Sequence, residues 1–147
     1  MPACRKYRID IVVYNPLAGG LFSGKIKSKD QTPAEGRFGE KASNLGTMYR
    51  ERYFKDATFD ALRIVEAAAE KSKLTLLEIA LRWMVHHSEL KTRVKGGNDG
   101  IIIGVSNFAQ LESNLKDLEK GPLPEGVVKA LDEAWAVTKA TAPSYWR

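Results

Sequence analysis

The chain has 147 residues, 44% of them hydrophobic and 28% charged, with a formal net charge of +5; this is enough for one domain with its own core and ordinary for a globular protein. No apolar run approaches the ~20 residues that span a bilayer, and the start, MPACRKYRID, carries no signal-peptide core, so the cytoplasm is the expected compartment and no membrane partner is expected. One cysteine, Cys4, excludes an internal disulfide, and without an aromatic–basic platform the mild basicity does not read as nucleic-acid binding.

In chain order, Ile9–Tyr14 (IDIVVY) is short and β-branched, which predicts a strand buried on both faces. Pro16 and the Gly19-Gly20 pair end it. From Lys25 to about Asp56 the composition predicts a long polar loop, with Pro33, Gly36, Gly39 and Gly46 and the cations Lys25, Lys27, Lys29, Arg37 and Lys41. A loop of that length inside a compact domain is usually functional or mobile. After Thr58, residues Phe59, Leu62, Val65 and Ala69 fall on one helical face through roughly Lys71. A second helix opens at Thr75, with Glu78 completing a capping box, and turns Leu77, Ala80, Leu81 and Met84 inward to about Ser88.

Gly96-Gly97-Asn98-Asp99-Gly100 breaks the chain before a second strand, Ile101–Ile103. Asn107 caps a helix expected to bury Phe108, Leu111, Leu115 and Leu118 and to end near Gly121. Pro124 opens a last helix bearing Val127, Val128, Leu131 and Trp135, and the tail from Ala142 to Arg147 reads as irregular. Two strands separated by a helical crossover form a right-handed parallel pair. Such a pair has unpaired edges and apolar faces, so the pattern reads as part of a larger α/β structure, with self-association or complementation through the exposed edge.

Each strand runs into a turn of small and polar residues. Asn15-Pro16-Leu17-Ala18-Gly19-Gly20-Leu21-Phe22-Ser23-Gly24-Lys25 follows the first, and Gly104-Val105-Ser106-Asn107-Phe108-Ala109-Gln110-Leu111-Glu112-Ser113-Asn114 follows the second. A strand leading through glycine into a helix collects free backbone N–H groups at a positive dipole end, where phosphate oxygens bind. Simpler readings stand beside this one: a tight strand exit for the first turn, and a plain capping pair for Asn107 and Gln110. His86 and His87 are adjacent, which suits packing rather than a metal pair. Cys4 has no evident base. Trp83, Trp135 and Trp146 suit packing, Arg52 suits either an ion pair or an anion contact, and Glu35, Glu40, Glu51 and Asp56 suit solvation.

The segments YNPLAGGLFSGK (Tyr14 to Lys25), Gly36-Arg37-Phe38, Tyr49-Arg50-Glu51-Arg52-Tyr53, LRWMVHHS (Leu81 to Ser88), IIGVS (Ile102 to Ser106), Gln110-Leu111-Glu112-Ser113-Asn114, Gly121-Pro122-Leu123 and Tyr145-Trp146-Arg147 together resemble the aldo-keto reductases, in their aflatoxin-aldehyde reductase-like branch. The resemblance covers nearly the whole chain, residues 1–147, and corresponds to the last two βα units of an eight-unit (β/α)8 TIM barrel plus a C-terminal helix. It implies an α/β partial barrel, NADPH as cofactor and reduction of small-molecule aldehydes or ketones. By the same resemblance Asn15, Pro16, Leu17, Ala18, Gly19, Gly20, Leu21, Ser23, Gly24 and Lys25 would wrap the nicotinamide side and pyrophosphate. Arg37 would reach the cofactor from the long loop, and Gly104, Ser106, Gln110 and Asn114 would hold the 2′-phosphate end. Tyr14 would pack at the strand end or border the nicotinamide, and Arg52 and Arg147 would reach a substrate carboxylate.

The family's catalytic Asp, Tyr, Lys and His lie on earlier strands, and no segment here corresponds to them. Where related reductases carry a substrate-facing Trp, this chain has Ala42-Ser43-Asn44-Leu45. Two classes of function follow: an NADPH-linked carbonyl reductase of which this chain supplies cofactor contacts, or a non-catalytic ligand-binding or interaction module derived from one.

Overall fold

The computed structural model describes residues 1–39 and 42–143. Glu40, Lys41 and the Ser144–Arg147 tail lie outside the described residues, and with them the readings placed on Lys41, Trp146 and Arg147. The fold is α/β, as expected: helices α1 (Pro2–Lys6), α2 (Ser43–Tyr53), α3 (Asp56–Ser72), α4 (Leu76–His86), α5 (Phe108–Glu119) and α6 (Glu125–Thr138), with strands β1 (Val12–Val13) and β2 (Gly100–Ile101). The chain divides into two compact units, one of residues 1–17 and 77–123, the other of residues 18–76 and 124–147.

In the first unit β1 and β2 pair in parallel, Val12 opposite Gly100 and Val13 opposite Ile101. The amide of Gly100 donates to the Ile11 carbonyl at 2.9 Å and that of Ile102 to the Val13 carbonyl at 2.8 Å. The first strand sits within the expected Ile9–Tyr14 run; the second, expected at Ile101–Ile103, begins one residue earlier at Gly100 and shares only Ile101 with it, because a ladder extends only where it finds a partner. The expectation of burial on both faces is corrected. Val12, Tyr14 and Ile102 are exposed while Ile11, Val13, Ile101 and Ile103 are half-buried, the one-sided alternation of a strand covered on a single face; Ile9, ahead of β1, is exposed as well.

A buried carboxylate ties α1 to this pair. Asp99 accepts from Arg5 Nη1 at 3.0 Å, from Arg5 Nη2, from the Ile11 amide at 2.8 Å and from the Lys91 amide at 2.7 Å. Helix α4 buries Ile79, Leu81 and Val85, and its polar side clamps the segment after α5. Arg82 donates through Nε to the Gly121 carbonyl at 2.7 Å and through Nη2 to the Pro122 carbonyl at 2.6 Å. Glu78 pairs with both Arg82 and Lys120, and Lys120 also with Asp117.

Helix α5 departs from the expected apolar face. Phe108 and Leu115 are exposed, whereas Asn114 and Asp117 are buried. At roughly 100° per residue, Phe108 and Leu115 sit about a third of a turn from Asn114. The inward stripe is rotated toward Asp117, whose ion pair with Lys120 joins the polar clamp.

The second unit centres on Leu21, Ile26, Phe38, Tyr49, Phe59 and Leu62. The presumed polar loop contains α2, a correction with a clear cause: α2 has few apolar residues and weak periodicity, but Tyr49 and Tyr53, one turn apart, reach Phe38. Phe38 stacks on Phe54 with ring centroids 5.0 Å apart, and Phe54 meets Phe59 of α3 edge-on at 5.5 Å. As expected, α3 buries Phe59, Leu62, Val65 and Ala69. Helix α6 packs along α3 with Val127 and Ala134 buried. Trp135, expected inside, is 54% exposed, because the inward face of α6 runs through the smaller Ala134.

Candidate functional site

The turn after β1, Asn15 to Lys25, takes left-handed backbone at five positions. Asn15, Ala18, Gly19, Gly20 and Gly24 have φ of 60°, 49°, 69°, 102° and 72°. Successive residues of this kind turn their N–H groups to a common side, and only glycine adopts the conformation without steric cost. Asn15, Pro16 and Leu17 are half-buried in the first unit. In the second unit, Leu21 is 2% exposed, so its side chain belongs to the core and only its main chain is open to a ligand. Above Gly20 there is open space: a methyl group there would meet nothing within 4 Å. Ser23 Oγ accepts from the Lys25 amide at 3.4 Å, and the Lys25 carbonyl accepts from Gln31 Nε2 at 2.9 Å. The Lys25 side chain is exposed, and among the described residues it joins no ion pair.

Arg37 does come to this turn, through Tyr49, which the sequence reading quoted within a motif but gave no part in the cofactor site. Tyr49, 5% exposed, sets its ring against Gly19, where an added Cβ would lie 2.5 Å from Cε1. Its hydroxyl accepts from Arg37 Nη1 at 2.9 Å, and the guanidinium lies 5.3 Å from the ring centroid. The available signal was aromatic spacing, Phe38 followed by Tyr49 and Tyr53 within an otherwise polar stretch. Lys27 pairs with Glu66 and Lys29 with Asp56, which takes those two cations out of the candidate anion site. Asp56 is thereby paired rather than only solvated.

A second candidate segment, described by itself, lies in the first unit. Because β1 and β2 are parallel, Tyr14–Leu17 and Ile102–Gly104 leave the same end of the strand pair. Asn107 caps α5, its Oδ1 accepting from the Gln110 amide at 2.9 Å, while Gln110 Oε1 accepts from the Ser106 amide at 2.9 Å. The capping reading of this pair therefore holds. Gly104, Ser106 and Gln110 are exposed. The amides of Phe108 and Ala109 keep no acceptor among the described residues, and these are the donors that a helix start offers to an anion. Asn114 is 4% exposed. Among the described residues no buried side-chain polar atom lacks a partner, so its carboxamide edge either meets solvent or is bonded.

The remaining candidates separate cleanly. His86 Nε2 pairs with the Lys120 carbonyl at 2.7 Å, and His87 Nε2 accepts from the Leu123 amide at 3.0 Å. Both imidazoles are thus packing groups, and burial together with neighbouring His86, Lys95 and Arg82 pushes the His87 pKa down. Arg5 and the two backbone amides hold the Asp99 carboxyl well below the usual range. Among the described residues no group of His, Cys, Asp and Glu could hold a metal, and no helix is long and apolar enough to cross a membrane. Arg52 lies in the wall of an apolar cavity of about 290 Å³ in the second unit, with Leu21, Phe22, Leu62, Leu131 and Trp135. Its guanidinium stands 5.9 Å from the Tyr53 ring centroid.

Residues 1–136 match the model of the aldo/keto reductase family. An aldo-keto reductase of Pseudocercospora fijiensis is 41% identical over 145 residues, covering 99% of this chain and 48% of that protein. Aflatoxin B1 aldehyde reductase member 2 of Mus musculus is 40% identical over 154 residues, covering 100% of this chain and 40% of its own length. The human protein of the same name is 38% identical over 152 residues, with coverages of 99% and 41%. The chain thus spans less than half the length of these relatives. With a family match over most of its residues and parallel βα units in the expected places, the chain belongs to the aldo/keto reductase family.

Proposed function

We propose that this chain supplies the NADPH-holding part of a carbonyl reductase acting on small aldehydes or ketones. The observation that carries the reading is the left-handed run Ala18-Gly19-Gly20, open above Gly20, with Arg37 held close by through Tyr49. Such a cradle of backbone N–H groups beside a guanidinium fits a pyrophosphate. Lys25 and Ser23 would add to it, and the start of α5, with Gly104, Ser106, Gln110 and Asn114, would take the 2′-phosphate. The bound cofactor would supply the hydride. This chain's residues would orient it and offset its charge, while Arg52 in the cavity wall and Arg147 would face a carboxylate on the substrate. The proton donor would come from outside the matched segments, so the chain alone should show no turnover of 4-nitrobenzaldehyde with NADPH above background.

Calorimetric titration tests the binding. NADPH should bind more tightly than NADH, weaken with added salt as screened charges do, and lose affinity in a Lys25→Ala/Arg37→Ala double variant. Affinity at least ~100-fold below that of a whole reductase is expected, about 2.7 kcal/mol, because the nicotinamide lacks an enclosing wall. Equal affinity for both cofactors, or none lost in the double variant, refutes the reading.

A partner follows from the exposed side chains of Val12, Tyr14 and Ile102, which share one face of the strand pair. We assign this face to the parallel-stranded βα units that make up the remainder of the family's barrel, consistent with the greater length of the relatives. Co-expression with the N-terminal portion of the Pseudocercospora relative should yield a one-to-one complex. A stable homodimer that excludes that portion would overturn the assignment.

A further inference from the structure

We infer that Tyr49 is a positioning residue for anion binding, coupling the Gly19-Gly20 turn to the Arg37 guanidinium so that both meet one phosphate group as a preset pair; this rests on the reading of the turn as a phosphate cradle. Its phenol does two jobs at opposite ends. At one end the ring lies against the Gly19 α-carbon, so close that any side chain there would collide with Cδ1 and Cε1 at 2.6 and 2.5 Å. At the other end the hydroxyl accepts from Arg37 Nη1 at 2.9 Å. The ring itself is fixed, 5% exposed, edge-on to Phe38 at 5.9 Å and tilted against Tyr53 at 6.0 Å.

An arginine presents five N–H donors in a rigid plane. Anchoring one of them on a buried phenol leaves the others for an anion and removes much of the rotamer freedom that binding would otherwise have to restrict. The side chain of Arg37 is exposed, so those donors are accessible. The occupant is a phosphate ester or pyrophosphate. Phenylalanine at position 49 would keep the ring on Gly19 and remove only the anchor.

Inorganic pyrophosphate is the probe, titrated into the ¹⁵N-labelled chain while the Gly19 and Gly20 amide signals are followed. Tyr49→Phe should leave the melting temperature near that of wild type yet weaken pyrophosphate binding about five- to tenfold, the scale of ordering one long side chain that the anchor otherwise holds in place beforehand. Arg37→Ala should weaken it at least as much, and the double variant should be no worse than Arg37→Ala alone. Unchanged affinity in Tyr49→Phe, or losses that multiply in the double variant, overturns the coupling while leaving the cradle standing. If wild type fails to bind pyrophosphate, the cradle reading falls, and the ligand-free spectra decide the coupling. Arg37→Ala should then shift the Gly19 and Gly20 amides in the wild-type background but not in Tyr49→Phe, and no shift in either background overturns it.

Discussion

Alanine at Gly19 should destabilise the chain more than alanine at Gly20, and the difference should trace to one ring. Both glycines have positive φ, 69° and 102°, so each substitution carries a backbone cost of roughly 1–2 kcal/mol. At Gly20 that is the whole effect, since nothing lies within 4 Å of the added methyl. At Gly19 the methyl would sit 2.5 and 2.6 Å from Tyr49 ring carbons, while Cε2 of Phe38 lies at 3.5 Å. Tyr49 cannot simply swing aside, because Phe38 and Tyr53 flank it and Arg37 holds its hydroxyl. Forcing such a displacement in a packed core adds about 1–3 kcal/mol. At roughly 2–4 °C per kcal/mol for a chain of this size, Gly19→Ala should melt about 2–12 °C below Gly20→Ala. Thermal unfolding followed by circular dichroism measures the gap, and repeating the pair in a Tyr49→Leu background should shrink it. Equal melting temperatures for the two alanine variants would refute the account of Tyr49 as wedged against the turn.

Stability should fall as pH drops through about 6.5, because His87 accepts the Leu123 N–H and its folded pKa lies below the unfolded value, so the unfolded chain binds the extra proton. Urea midpoints at pH 7.5 and 5.5 check this, and an equal fall in His87→Asn would assign it to other groups. Asp99→Asn should lower the melting temperature at neutral pH by weakening four hydrogen bonds. Because the Asp99 pKa is depressed by folding, its contribution is present above the ordinary carboxyl range and is lost below it; the gap between wild type and variant should therefore narrow below about pH 4, and a constant gap would contradict this. Asn107→Ala removes the cap on the Gln110 amide and should cost about 1 kcal/mol in urea unfolding; no loss would mean that the α5 start needs no side-chain cap.

Much of the local structure was legible in the residues alone, because it depends on signals carried within a few positions. The α3 face of Phe59, Leu62, Val65 and Ala69 follows from helical spacing, the Asn107–Gln110 cap from residue type at a helix start, and the parallel strand pair from the helical crossover between two β-branched runs. The glycine turn was legible for the same reason, since glycine takes left-handed backbone most readily and this chain places Gly19, Gly20 and Gly24 there, beside Asn15 and Ala18 in the same conformation. What only the tertiary structure decided are features made by residues distant in sequence. Helix α2 has weak periodicity and is held by the contacts of Tyr49 and Tyr53 with Phe38. The inward stripe of α5 is turned toward Asn114 and Asp117 because Lys120 and Glu78 draw Asp117 into an ion-pair network. Apolar content alone assigned Phe108 and Leu115 to the interior, but burial depends on what stands opposite. Tyr49 shows the same limit at the site: its ring touches a glycine thirty positions earlier in the chain, and no local pattern encodes that contact.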